Sequence, residues 1–182
     1  LTMSRIDQSK DFLPIRIAVL TVSDTRSLSE DRSGDTLVAR IEGAGHILAD
    51  RKIIQDERDQ IAAQLRAWCD QPDIDVVIST GGTGLTGRDV SVEAHRDVYD
   101  KEIDAFGTVF THVSLAKIGT SAVQSRACGG VAQGTYLFAL PGSPGACRDA
   151  WDEILSLQFD YRHMPCNFVE MMPRLDEHLR RK

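Results

Sequence analysis

Apolar positions along this chain alternate between two rhythms. Residues 15–22, IRIAVLTV, form a largely β-branched run, and a strand that is apolar at nearly every position is one buried on both faces, as central parallel strands are. The spacing then turns helical: Ser33-Gly34-Asp35-Thr36 opens a segment in which Leu37, Val38 and Ile41 share a face, and Gly43 and Gly45 end it. HILADRKII at 46–54 reads as a second strand. Asp59 reads as the N-cap of IAAQLRAWCD, where Ile61, Leu65 and Trp68 recur at helical intervals. DVVIST at 75–80 is a third strand, and a helix is expected from Ser91, with Glu93 in its first turn and Ala94 and Val98 on one face. Residues 106–126 look helical with a break at Gly119. TYLFAL at 135–140 is a last strand, ended by PGSPG and followed by a helix through Ala150, Ile154 and Leu155. Such alternation predicts an α/β fold with a mostly parallel sheet and helices on both faces.

At 182 residues and 42% hydrophobic, the chain predicts one globular domain over residues 15–175, with residues 1–14 as a flexible segment and 176–182 as a tail. The net charge of −6 provides no field to gather a nucleic-acid backbone or an anionic lipid surface, so neither is expected as a partner. Cys69, Cys128, Cys147 and Cys166 are far apart and without metal-ligand spacing, which predicts free thiols in a reducing cytoplasm. LTMSRIDQSKDFLP has no apolar core of a leader, and no run reaches membrane-spanning length. The five histidines are scattered and predict no metal site.

Residues 79–91, STGGTGLTGRDVS, accept three nucleotide-binding templates. Gly82, Gly84 and Gly87 spell a dinucleotide fingerprint, but the acidic residue it needs about 20 positions on should end a strand, and Glu102 and Asp104 sit in YDKEIDAF. A P-loop needs Lys-Ser/Thr where Arg88 and Asp89 stand. A third reading fits better: a glycine run whose amides face an anion, followed by a carboxylate able to hold Mg²⁺ beside it. The plain alternative is a tight turn with Asp89 capping the next helix.

Ligands of parallel sheets bind outside the carboxyl ends of the strands. There the chain should gather Ser23-Asp24-Thr25-Arg26, Gln55-Asp56-Glu57, the glycine loop and Pro141-Gly142-Ser143-Pro144-Gly145. Asp56 and Asp89, read as coming from neighbouring strands, could share one Mg²⁺ with substrate phosphates. Each piece alone is also an ordinary cap or turn; together they fit a phosphate site.

TVSD (21–24), DRSGD (31–35), TGGTG with RDVS and Glu93, AFGTVF (105–110), IGTSAVQSRA (118–127) and ALPGSPGA (139–146) resemble the MoaB/Mog family of molybdenum cofactor biosynthesis proteins. The likeness runs from Ile15 to Leu175, and PCNF at 165–168 is similar to the MoaB branch. Ser91-Val92 replaces a usual Thr-Pro, and Gln55 replaces a proline. The resemblance implies a three-layer α/β sandwich, a trimer or hexamer, and adenylylation of molybdopterin with MgATP. It implies that molybdopterin's terminal phosphate lies on the amides of Gly81, Gly82, Thr83 and Gly84, with Thr80, Thr83 and Ser143 donating hydrogen bonds. Ser23, Asp24, Pro141 and Gly142 would complete the substrate site. Asp56 and Asp89 would be the catalytic acids that organise Mg²⁺ and ATP. A molybdopterin-binding protein without catalysis is the alternative.

Overall fold

The computed structural model describes residues 5–180. Strand β1 (Arg5–Ile6) precedes β2 (Arg16–Val22), helix α1 (Arg32–Gly43), β3 (Ile47–Ile54), α2 (Arg58–Cys69) and β4 (Val76–Thr80). These are followed by α3 (Ser91–Arg96), β5 (Lys101–Glu102), α4 (Asp104–Ile118), β6 (Cys128–Ala132), β7 (Thr135–Leu140) and α5 (Pro144–Ala150). A π-helical stretch, Trp151–Leu155, carries α5 on into α6 (Ser156–Gln158), and β8 (His163–Met164) comes near the end. The main sheet has the order β3-β2-β4-β7-β6-β5. Its first four strands are parallel, and β6 and β5 join antiparallel.

The nearly continuous apolar run of β2 is explained by its interior position between β3 and β4. Successive side chains of a strand point to opposite faces. Ile17 and Val19 therefore enter a core with Leu37 and Ile41 of α1, Phe106 and Phe110 of α4, and Trp151. Ala18, Leu20 and Val22 enter a second core with Ile61, Leu65 and Trp68 of α2. The sheet is thus the middle of three layers, as expected for this α/β class.

Four local expectations are revised. The N-cap of α2 is Glu57 rather than Asp59, which stands in the first turn. α1 is capped by Asp31, whose Oδ1 accepts from the Gly34 amide at 2.9 Å. Strand β6 was hidden in CGGVA, where two glycines argue against a strand. A Cβ on Gly130 would sit 2.4 Å from the Tyr99 ring, so the close approach of that ring requires glycine there. Finally, part of the segment expected to be loose is tied down. β1 pairs with β8, and Lys10 Nζ meets Glu170 Oε1 at 2.7 Å. Residues 1–4 of that segment and 181–182 of the expected tail lie outside the described residues.

Candidate functional site

The site starts where β4 ends. Thr80 is buried, and its hydroxyl donates to Pro141 O at 2.9 Å and lies 3.2 Å from Cys147 Sγ. The hydroxyl expected to meet phosphate therefore joins two strand-end loops instead. The Gly81 amide is also committed, donating to Leu140 O at 3.0 Å. Gly81 and Gly82 have φ of +101° and +64°, in the left-handed region that favours glycine. A Cβ on Gly81 would stand 2.2 Å from Val22 O, and one on Gly82 2.7 Å from Asp56 Oδ1.

The carbonyls of residues 81–84 are held from one side. Ser91 Oγ donates to Gly81 O at 2.7 Å and Ser91 N to Gly82 O at 2.8 Å. Arg126 Nε donates to Thr83 O at 2.9 Å and to Gly84 O at 3.1 Å, while its terminal nitrogens grip Glu93. The peptides here are trans, so each N–H points opposite to the preceding C=O. The amides of residues 82–85 accordingly point away from those held carbonyls, and successive backbone amides left free are the kind of donor that binds anions. The Gly84 amide is engaged by Asp89. Those of Gly82 and Thr83 have no partner among the described residues. The donor set inferred for residues 81–84 thus narrows to two amides.

These amides border a cavity of about 380 Å³ walled also by Ser23, Pro141 and Gly142. Its charged lining residues are Arg26, Asp56 and Asp89. The two acids do not come from neighbouring strands: β2 lies between β3 and β4, and the loops after β3 and β4 converge over it. They also differ in state. Burial, with the nearby charge of Asp24, raises the Asp56 pKa above the ordinary aspartate value. Its carboxylate accepts from the Asp24 amide, which lowers the pKa by less than burial raises it, and no Lys, Arg or His forms an ion pair with it among the described residues. The Asp89 carboxylate is held below that value, first by the Thr86 hydroxyl and also by the Thr86 and Gly84 amides. Asp89 Oδ2 accepts from Thr86 N at 2.8 Å and Thr86 Oγ1 at 2.7 Å. Asp89 therefore folds its own loop, and it does not cap α3, whose N-cap is Val90.

Asp24 and Ser143 do not line this cavity. Asp24 is held by Arg88 at 2.9 and 3.0 Å, and Arg88 also reaches Glu57 at 3.0 Å, so one arginine ties the loops after β2, β3 and β4 at the rim. Ser143 caps α5, accepting from Ala146 N at 3.1 Å. Four wall residues are not among the site residues named from the sequence: Val22, Arg26, Gln124 and Ser125, of which Arg26 was read only as part of the loop after β2. Arg26 donates to Gly142 O at 3.1 Å and Ser33 Oγ at 3.3 Å and has no carboxylate partner among the described residues. Its position just past an apolar strand was the available signal. Gln124 and Ser125 belong to a turn whose approach depends on α4.

A family model described as "Probable molybdopterin binding domain" matches residues 18–160. The chain is 48% identical over 160 residues to molybdenum cofactor biosynthesis protein B of Escherichia coli (strain K12), covering 88% of this chain and 94% of that one. The corresponding protein of Bacillus subtilis (strain 168) is 39% identical over 142 residues, 78% of this chain and 84% of its own. A crystal structure of a molybdenum cofactor biosynthesis protein B aligns with TM-score 0.79 at 34% identity, over 95% of this chain and 100% of that chain. The tungsten cofactor synthesizing protein MoaB from Pyrococcus furiosus aligns at 0.70 and 32%, over 79% and 91%. The chain belongs to the MoaB/Mog family of molybdenum cofactor biosynthesis proteins, on its MoaB side, and carries that family's molybdopterin-binding domain.

Proposed function

We propose that this chain binds molybdopterin by its terminal phosphate and adenylylates that phosphate with MgATP. The observation that carries the reading is that Gly82 and Thr83, whose amides have no partner among the described residues, line one cavity with Asp56, a carboxylate that no basic side chain pairs. An anion on those amides completes their hydrogen bonding. Asp56 fits a cation, because burial and neighbouring negative charge already disfavour its ionised form. Among the described residues no group of three His, Cys, Asp or Glu side chains is arranged to hold a metal ion. That suits Mg²⁺, which commonly takes one or two carboxylates and completes its shell with phosphate and water. When bound by Asp56 and Asp89 together with the ATP phosphates, it would supply charge neutralisation.

The chain's own part is positioning. The Gly82 and Thr83 amides orient the acceptor phosphate, and Arg26, which lines the same cavity, adds positive charge. An oxygen of the acceptor phosphate forms a bond to the α-phosphorus of ATP, the bond from that phosphorus to the bridging β-phosphate oxygen breaks, and pyrophosphate leaves. The test is pyrophosphate release from purified protein given molybdopterin and MgATP. Release that falls about 10²-fold in Asp89→Asn, where a transition-state contact is lost, supports the reading.

A second reading, molybdopterin binding without catalysis, is favoured by the occupation of Asp89 by Thr86. It expects wild-type protein to bind molybdopterin and release no pyrophosphate. The same proposal includes a homo-oligomer, trimer or hexamer. Leu115, Ile118 and Val123 are exposed on α4 and the turn after it, and a second copy would cover them.

A further inference from the structure

The two residues that end β4 anchor the glycine loop in opposite directions. Ser79 and Thr80 point to opposite faces of the sheet, as neighbours in a strand do. Thr80 bonds to Pro141 O in the loop after β7. Ser79, fully buried, turns instead to α3, where its Oγ lies 2.8 Å from His95 Nε2. The other ring nitrogen, Nδ1, lies 3.2 Å from the Tyr99 hydroxyl, which reaches Leu137 O of β7 at 3.3 Å and Cys128 Sγ of β6 at 3.2 Å. Both nitrogens of a fully enclosed imidazole are thus engaged, and none of these residues lines the first cavity. Burial pushes the His95 pKa down to about 3, so the ring is neutral near pH 7.

The direction of each bond follows from the last acceptor. Leu137 O can only accept, and a phenol has one hydrogen, so Tyr99 donates to Leu137 O and its oxygen accepts from His95 Nδ1–H. Nε2 is then the bare nitrogen and accepts from the Ser79 hydroxyl. Ser79, His95 and Tyr99 are all satisfied in this order. A buried network so satisfied specifies one geometry, where apolar packing alone would let a helix slide.

That geometry holds the clamps on the loop. α3 is six residues long and has no side-chain cap, so it has little stability of its own. Ser91 and His95 are four positions apart and share one face of it. Ser91 donates from Oγ to Gly81 O and from N to Gly82 O. Glu93, on the same helix, grips Arg126, which holds Thr83 O and Gly84 O. The backbone therefore leaves Ser79, runs through the glycine loop into α3, and is closed at its base by His95 on Ser79. Any shift of α3 against β4 would move the carbonyls of residues 81–84 and, with them, the amides of Gly82 and Thr83.

We propose that His95 is a positioning residue for the glycine loop: by fixing α3 between Ser79 and Tyr99, it sets the direction of the Gly82 and Thr83 amides without touching the ligand. This role deepens the molybdopterin-binding reading and rests on it for the ligand, while the order imposed on the loop exists without one.

The experiment compares wild type, His95→Leu, His95→Gln and the double variant Ser79→Ala/His95→Leu by thermal unfolding, amide hydrogen exchange and calorimetric titration with molybdopterin. The Ser91 amide reports the clamp directly, because it donates to Gly82 O. In His95→Leu it should exchange about tenfold faster relative to the amides of β2, and molybdopterin should bind about tenfold more weakly. His95→Gln, whose side-chain carbonyl can still accept from Ser79, should stay within about threefold of wild type in both. The double variant puts two apolar groups where the bond was, so its melting temperature should recover toward wild type while Ser91 exchange and affinity stay impaired. Recovery of all three together would make His95 a packing residue and overturn the proposal. Wild-type exchange at Ser91 in every variant would overturn it too, as would faster exchange with molybdopterin bound as tightly as before. If wild type binds no molybdopterin, the binding reading falls by itself: faster Ser91 exchange then still supports the role of His95, and unchanged exchange overturns it.

Discussion

Replacing Arg126 with alanine should separate binding from folding at the glycine loop. Its Nε–H is shared between Thr83 O and Gly84 O, so the substitution removes one charged hydrogen-bond donor from two acceptors. A hydrogen bond to a charged group contributes about 1.5–3 kcal/mol. The Arg126–Glu93 pair is partly solvent-exposed on both sides, so screening keeps its contribution below about 1 kcal/mol. The loss falls on a surface loop that opens locally and not on either core, so global stability should barely register it. The free loop then has to be ordered when phosphate binds, which transfers roughly 2–3 kcal/mol to the binding step, or about 30- to 150-fold in affinity. Calorimetric titration with molybdopterin measures the affinity, and thermal unfolding should show a fall of no more than about 4 °C. Arg126→Lys retains charge but lacks the planar fork that reaches the carbonyls and Glu93 together, so it should fall between alanine and wild type. Glu93 offers an independent readout, because its pKa is lowered chiefly by Arg126 and should rise toward the ordinary glutamate value in the alanine variant. A drop of many degrees with affinity within twofold of wild type would refute the clamp.

Asp56→Asn should abolish at least 99% of pyrophosphate release, about 10²-fold, while leaving the melting temperature at pH 7 equal or slightly higher. The sign follows from the raised pKa: the folded state holds that proton more tightly than the unfolded one, so ionising Asp56 as pH rises costs stability, and asparagine removes the cost. A clear loss of stability at pH 7 would contradict this. Asp31→Ala should destabilise by about 2–3 kcal/mol, since it removes the cap of α1 and the acceptor of the buried Thr21 hydroxyl, while Arg51 keeps Asp35 as its partner; urea unfolding measures it. Burial opposes ionisation of Asp31, but Arg51, the Gly34 amide and the Thr21 hydroxyl outweigh it and lower its pKa, so its contribution is present above the unfolded value near 3.8 and is lost as acid takes the pH below it. Val123→Asp, at a side chain 81% exposed, should reduce the mass seen by light scattering without changing unfolding of the monomer, and an unchanged mass would remove that face from the interface.

Much of this arrangement was legible because it depends on local patterning. The succession of strands and helices and the convergence of the polar strand ends follow from apolar runs and turn residues; the lateral order of the strands does not, which is why Asp56 and Asp89 read as coming from neighbouring strands. The role of Thr80 was also within reach: it alternates in phase with Val76 and Ile78, which enter the first core, so its hydroxyl turns inward toward Cys147. What the sequence conceals is long-range hydrogen bonding. The amide of Gly81 is taken by Leu140, nearly sixty residues on, and Asp24 by Arg88, so neither is free for a ligand, and no spacing rule announces such pairings. Strand β6 was missed because its glycines serve ring packing, a requirement set by Tyr99 and Phe138 on other elements.

The bond from Gly81 to Leu140 also bears on when the chain completes its candidate binding site. Strands β2, β3 and β4 can assemble from the first eighty residues, but the glycine loop cannot close until β7 arrives and brings Pro141 and Gly142 with it. Contacts between residues so distant in sequence form late and slowly. During synthesis, a nascent chain halted before residue 140 would hold half a sheet and an open loop, with the Gly81 amide and the Thr80 hydroxyl still facing water. Ligand affinity is thus acquired in a single late step, and a truncated or half-folded chain has no weakened version of the site with which to sequester a scarce intermediate.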